Sequence, residues 1–328
     1  MMKQLIAEFP EQLAHAIAIG KAAQLSSAKQ PIHNVLVTGL GGSGMGGNVV
    51  VDVLGSELAL PLLVNKDYHL PAWVSQHTLV IACSYSGNTE ETITALQEAL
   101  TRQATIVCVS TGGKMLDIAR KNNLDYITLP AGRPPRASLA YSFVQQFYIL
   151  HHFGLIGKAF EADLESCVTF ITQENPALSA EAESLATHLY LRLPIIYAPS
   201  GYESVAIRWR QQFNENSKML CWHHVLPEMN HNELVGWRSA ESFWAPIFLE
   251  IPGIEPRTAA RLQLTADVTA QYCPNIFKIH AKGDSVLQKA LYLIQLGDWL
   301  SYYMAELRQF DAVEVKVIDY LKAELGKL

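Results

Sequence analysis

The sequence predicts an α/β protein of two domains, each a parallel sheet doubly wound with helices on both faces. Three observations carry the prediction. Short runs of apolar β-formers alternate with stretches of helical periodicity. Small-residue turns sit where strands give way to helices, and the same rhythm restarts midway along the chain. The 328 residues, 49% of them apolar, exceed what one core usually encloses and suit two. We place the boundary near residue 155, giving domains 1–155 and 156–328.

The first strand is 34–38, the apolar run Asn34-Val35-Leu36-Val37-Thr38, followed by a glycine-rich turn and a helix from 46 to 54. Strands follow at 60–65 and 78–82, then a helix over 90–100 whose apolar residues recur at helical spacing. Further strands are expected at 105–109 and 126–129. A strongly apolar helix over 140–154 closes the first half. A helical stretch from about 161 to 191 opens the second half. The strand Leu193-Pro194-Ile195-Ile196-Tyr197-Ala198 and the turn Pro199-Ser200-Gly201 then enter another helix. Strands at 243–251 and 276–280 and an almost wholly apolar helix over 285–307 complete the outline. Binding loops should lie at the C-terminal ends of the strands.

One such loop, Cys83-Ser84-Tyr85-Ser86-Gly87-Asn88-Thr89, has the chemistry of a phosphate pocket. At a strand-to-helix junction the first N–H groups of the helix are unpaired, and its positive dipole end favours an anion. Ser84, Ser86 and Thr89 add neutral hydroxyl donors, and Gly87 lets the backbone approach closely. No lysine is present, which favours a monoester such as a sugar phosphate over a triphosphate with magnesium. The earlier turn, Gly39-Leu40-Gly41-Gly42-Ser43-Gly44-Met45-Gly46-Gly47, satisfies G-x-G-x-x-G at Gly39, Gly41 and Gly44, and alone would suggest a dinucleotide with Asp67 on its ribose. Ser43, together with the second hydroxyl loop on the same sheet edge, instead favours one compact anion. The corresponding turn of the second half is poorer in glycine and hydroxyls, so only the first half should hold the phosphate.

The formal net charge of −6 leaves no basic footprint for nucleic acid. Cys83, Cys108, Cys167, Cys221 and Cys273 are scattered, odd in number and without a C-x-x-C pair, as expected of free thiols in a reducing cytoplasm. His223, His224, His231, Glu228 and Glu233 do not match a strong ligand spacing, so no metal is expected. Residues 1–23 carry Glu8 and Glu11 in an amphipathic pattern, which supports neither a signal peptide nor a membrane span.

The two loops, G-L-G-G-S-G-M-G-G at 39–47 and S-Y-S-G-N-T-E-E-T at 84–92, resemble a sugar isomerase (SIS) domain. Three further stretches narrow the resemblance: Pro134-Pro135-Arg136-Ala137-Ser138, Asn214-Glu215-Asn216-Ser217-Lys218 and Pro227-Glu228-Met229-Asn230-His231-Asn232-Glu233. With them the chain is similar, over nearly its full length, to the bifunctional phosphoglucose/phosphomannose isomerases. The resemblance implies two SIS-type domains of flavodoxin-like winding. It further implies interconversion of glucose 6-phosphate or mannose 6-phosphate with fructose 6-phosphate, without cofactor or metal, in a cytoplasmic homodimer. Carried over residue by residue, Ser43, Ser84, Ser86 and Thr89 hold the phosphate, and Gly41 and Gly42 give it backbone access. Arg136 stabilises the enediolate, Glu215 moves the proton between C1 and C2, and His231, contributed by the neighbouring subunit, assists ring opening. Lys322 best matches the family's C-terminal lysine. Lys316 is its rival, because Phe310-Asp311-Ala312-Val313-Glu314-Val315 lacks the proline expected there.

The chemistry suits these residue types. A carboxylate that removes a proton beside a carbonyl becomes the acid that returns it one carbon away. A guanidinium is a fixed cation for the two oxygens of an enediolate, and histidine titrates where ring opening needs it. The bland alternatives are a solvated Glu215 paired with Arg208 or Arg210, a surface Arg136 and a hydrogen-bonded structural His231. At the level of the whole protein the alternatives are a sugar-phosphate sensor without activity and an isomerase of another sugar phosphate. A sensor of this kind usually carries a DNA-binding segment, and the N-terminal arm is short and not basic.

Overall fold

The structure is a computed structural model that describes residues 1–55 and 57–327. Two all-parallel sheets organise the chain. The first contains β1 (Asn34–Thr38), β2 (Leu62–Asn65), β3 (Thr78–Cys83), β4 (Thr105–Ser110) and β5 (Asp125–Thr128), in the order β2-β1-β3-β4-β5. Strand order reverses between β1 and β3, so the turns after these strands open side by side at a topological switch point. The second contains β6 (Leu193–Pro199), β7 (Trp222–Leu226), β8 (Trp244–Glu250) and β9 (Phe277–His280), in the order β7-β6-β8-β9. All six residues of β3 are buried, as a central strand covered on both faces requires.

The helices are α1 (Met2–Ala7), α2 (Phe9–Ala22), α3 (Gly41–Leu54), α4 (Glu90–Thr101), α5 (Gly113–Lys121), α6 (Leu139–His152), α7 (Ala159–Leu189), α8 (Glu203–Glu215), α9 (Pro256–Ala270), α10 (Val286–Leu307) and α11 (Lys316–Leu325). Three differences from the sequence reading have physical causes. Strand β7 was not anticipated: as an edge strand it leaves Trp222, His223, His224 and Val225 only half-buried, so no apolar run marks it. Helix α9 was not anticipated either, and only four of its fifteen residues are buried. Helix α3 starts at Gly41 rather than 46, so most of the glycine turn is itself helical.

Those glycines answer to space more than to conformation. A Cβ on Gly44 would lie 2.3 Å from the Gly39 carbonyl oxygen, and one on Gly46 would lie 2.4 Å from Ser142 Oγ on α6. Each glycine costs a helix roughly 1 kcal/mol relative to alanine, and here it permits α3 to pack directly on the first sheet and on α6.

Helix α6 buries every residue from Leu139 to Leu150. The turn between α6 and α7 contains position 155, yet one apolar cluster extends from Met2 to Ala312 and draws on both sheets. Helix α11 differs from all of this. None of its residues is buried, and Val317, Tyr320 and Leu321 are exposed.

Candidate active site

The two small-residue loops meet where the strand order reverses. The Tyr85 N–H donates to Ser43 Oγ at 3.0 Å, which leaves the Ser43 hydroxyl proton free for another acceptor. Ser84 Oγ and Thr89 Oγ1 lie 2.8 Å apart, Gly87 N–H donates to Ser84 Oγ at 3.1 Å, and Asn88 N–H donates to Ser86 Oγ at 3.3 Å. No side chain caps the N-terminus of α3 or of α4, so the first N–H groups of both helices remain available at this edge. The neutral hydroxyls and helix ends expected for a phosphate are therefore together. Behind them lies a pocket of about 10 Å³, water-sized, whose lining includes Ser43, Tyr85, Pro135 and Ser138. A wider groove, about 600 Å³, opens at the other ends of α2 and α6, near Tyr148 and Lys158, away from this chemistry.

Arg136 joins the halves of the molecule. It sits on a short 3-10 turn, Pro135–Ala137, between β5 and α6, and is 5% exposed. Its Nε donates to Asn216 Oδ1 at 2.7 Å, one terminal nitrogen (NH1) lies 3.4 Å from Glu215 Oε2, and the other (NH2) donates to the carbonyls of Ala312 (2.6 Å) and Val313 (2.8 Å). Burial pulls the guanidinium's pKa down, and the carboxylates of Glu215, Asp311 and Glu314 oppose that pull. Arg136 is thus a buried cation with four of its five N–H groups directed at protein acceptors, and the surface reading falls away.

Glu215 ends α8, with its side chain about a quarter exposed and one oxygen facing Arg136. Arg208 and Arg210 are not its partners: Arg208 instead binds Asp298 at 2.5 Å and the Arg136 carbonyl at 2.9 Å. Asp298 also accepts from Gln212 at 2.9 Å, so the inner face of α8 is locked to α10. Asn216 is fully buried between Arg136 and Ser301. Sequence reasoning quoted Asn216 and Lys218 within a motif but assigned them nothing. Lys218 Nζ donates to the Glu215 carbonyl at 2.6 Å and to the Asp311 carbonyl at 2.9 Å.

His231 is elsewhere. It lies exposed on a 3-10 turn, Glu228–His231, beyond the C-terminal end of β7, whereas Glu215 precedes the N-terminal end of that strand. Helix α8, thirteen residues or about 20 Å long, and strand β7 separate the two edges of the second sheet. The turn is held by Glu233, which accepts from the Tyr197 hydroxyl and from Trp222 Nε1. Lys322 lies in the last turn of α11, and Lys316 is its first residue. Among the described residues neither ammonium makes a hydrogen bond or ion pair. The segment 311–313 lies against Lys218 and Arg136, but α11 beyond it has no buried residue. No cluster of three or more possible metal ligands occurs among the described residues.

The chain is 38% identical to the bifunctional phosphoglucose/phosphomannose isomerase of Caldicellulosiruptor bescii over 100% of its own length and 99% of that protein. It belongs to the bifunctional phosphoglucose/phosphomannose isomerase family. The bacterial phospho-glucose isomerase C-terminal SIS domain matches residues 178–325. The D-glucosamine-6-phosphate 4-epimerase of Sulfolobus acidocaldarius is 27% identical over 88% of each chain. Among solved structures, the C-terminal domain of glucosamine-fructose-6-phosphate aminotransferase from Francisella tularensis superposes with a TM-score of 0.78 over 96% of this chain and 97% of that one. At 13% identity, that likeness concerns the two-sheet SIS fold alone. The isomerase family and the SIS fold expected from the motifs are both borne out. Among the described residues no helix is long and apolar enough to cross a membrane, and all five cysteines are free.

Proposed function

We propose that this isomerase interconverts glucose 6-phosphate and mannose 6-phosphate with fructose 6-phosphate through a cis-enediolate. The observation that carries the reading is the 3.4 Å approach of Glu215 to the buried Arg136, at the edge where the hydroxyl loops converge. Ser43, Ser84, Ser86 and Thr89, with the N–H groups of Gly41 and Gly42, hold the phosphate and leave C1 and C2 to reach the other half. Glu215 removes the proton from one carbon and returns it to the other. Arg136 NH1, on the Glu215 side, faces the charge that develops on the two oxygens.

Ring opening falls to His231 of a second copy. Within one chain it lies across the second sheet from Glu215, so a complete site needs the His231 turn of a partner. Lys322, on the exposed α11, assists from the C-terminal segment. The working enzyme is then a cytoplasmic homodimer with two shared sites, each chain dividing near residue 155 into a phosphate-holding and a proton-transferring domain. The reaction requires no metal or cofactor.

The test incubates fructose 6-phosphate with the protein in heavy water and follows both aldose phosphates side by side. Deuterium at C2 of glucose 6-phosphate and mannose 6-phosphate is the expected result. Binding without exchange would favour a sugar-phosphate sensor, and exchange into one epimer alone would remove the second substrate.

A further inference from the structure

Lys218 is a half-buried cation of this site that the proposed chemistry leaves without a task. It stands three residues past Glu215 with φ 52°, a left-handed conformation uncommon outside glycine and asparagine. Its side chain is 18% exposed, and burial, reinforced by the nearby Arg136, pulls its pKa down. The ammonium nevertheless has acceptors. It donates to the Glu215 carbonyl at the negative dipole end of α8 (2.6 Å) and to the Asp311 carbonyl (2.9 Å), with Glu314 Oε1 at 4.0 Å.

The next two carbonyls, those of Ala312 and Val313, both accept from Arg136 NH2. Three consecutive carbonyls are therefore gripped by the two cations that bracket Glu215. The gripped segment leads directly into α11, which has no buried residue to hold it in place.

We infer that Lys218 is a positioning residue: with Arg136 it straps residues 311–313 across the end of α8, fixing both Glu215 and the point from which α11 departs. Loss of the Lys218 contacts frees the last turn of α8, where the Glu215 carboxylate must be aimed. It also loosens the strap that occupies Arg136 NH2 and keeps NH1 directed at Glu215. Displacements of about 1 Å in such a constellation can lower rate by about 100-fold.

The activity arm of this inference rests on the proposed isomerase reading, whereas the strap itself can be measured without it. Full-length Lys218→Met and Lys218→Arg are compared with the unaltered protein by hydrogen exchange of residues 311–315 and by kcat and KM for fructose 6-phosphate. Lys218→Met should exchange about tenfold faster in 311–315 with the sheets unchanged, and should lose about 10- to 100-fold in kcat with KM within about threefold. Lys218→Arg, which keeps the donors, should restore strap protection and much of kcat. Unchanged exchange at 311–315 in a folded Lys218→Met overturns the strap. Faster exchange with full kcat overturns its link to Glu215. If Lys218→Met does not fold, Lys218→Arg decides, because wild-type protection and turnover there support the clamp and their loss removes it. An unaltered protein with no isomerase activity would sink the functional reading, while the exchange experiment would still judge the strap.

Discussion

Gly42→Ala isolates a spacing that the site depends on. The glycine has no left-handed φ, so alanine carries no conformational penalty there. Its Cβ, however, would lie 2.7 Å from the Pro135 carbonyl oxygen and 3.3 Å from the Arg136 backbone nitrogen. Ordinary contact begins at 3.4 Å, so the turn carrying Arg136 must retreat by 3.4 − 2.7, about 0.7 Å. Both colliding groups are backbone and cannot rotate aside. Overpacking of this kind costs about 1–3 kcal/mol of stability. The same retreat draws the guanidinium from Glu215, and at about 100-fold per 1 Å the expected loss in kcat is roughly 10- to 50-fold. Steady-state kinetics with fructose 6-phosphate, beside a thermal melt, reads both effects. A folded variant with wild-type kcat would refute the argument that Gly42 sets the position of Arg136. A rise in KM alone would confine Gly42 to phosphate access.

Glu215→Gln and His231→Ala should each be inactive, yet co-refolding them in equal amounts should return about one quarter of wild-type activity. Half of the dimers would be mixed under random pairing, each with one intact site; no recovery would place both residues in one chain's site. Gly87→Ala should be far more damaging to folding, because φ is +70° and the new Cβ would fall 1.8 Å from the Gly112 carbonyl oxygen. A loss above about 3 kcal/mol in urea titration is expected, and a loss below 1 kcal/mol would contradict the geometry. Burial, helped by Arg210, lowers the His223 pKa to about 4, so the unfolded chain takes up its proton first as pH falls. Stability from this group is complete above about pH 6.5 and falls by about 2 kcal/mol between pH 7 and pH 5. His223→Gln should flatten that slope in urea titrations, and an unaltered slope would count against the burial argument. Asp52 acts oppositely: burial raises its pKa to about 6, so folded protein gains stability as pH falls from 6 toward 3.8. Asp52→Asn, which keeps an acceptor for the Ser204 N–H, should gain up to about 3 kcal/mol at pH 7, with no gain as the refuting result.

What was legible in the sequence follows how local the signal is. Strands β1, β3 and β4 were legible because burial on both faces writes a continuous apolar run. Strand β7 was not, because an edge strand with His223 and His224 at its centre carries no such run. The hydroxyl loop was legible because Ser84, Ser86 and Thr89 bond within their own turn. The glycine turn was half legible. Its composition marked a close approach, but the partners of Gly42 and Gly46, Pro135 and Ser142, are roughly a hundred residues away. Lys218 was illegible for the same reason, since its second acceptor, the Asp311 carbonyl, belongs to a segment with no sequence pattern.

Donor arithmetic limits what Arg136 can do. A guanidinium has five N–H bonds. One goes to Asn216, two go to Ala312 and Val313, and one is directed at Glu215, which leaves a single N–H uncommitted. Such an arginine cannot swing to meet a substrate without leaving buried carbonyls unpaired, at about 1–3 kcal/mol for each. In the mechanism we propose, its value lies in being fixed beforehand, with one edge presented on the side of Glu215 and no reorganisation when charge develops. That requirement explains why so much surrounding structure converges on one side chain: Gly42 sets its distance, Arg208 holds its carbonyl, and the 311–313 segment occupies its far edge.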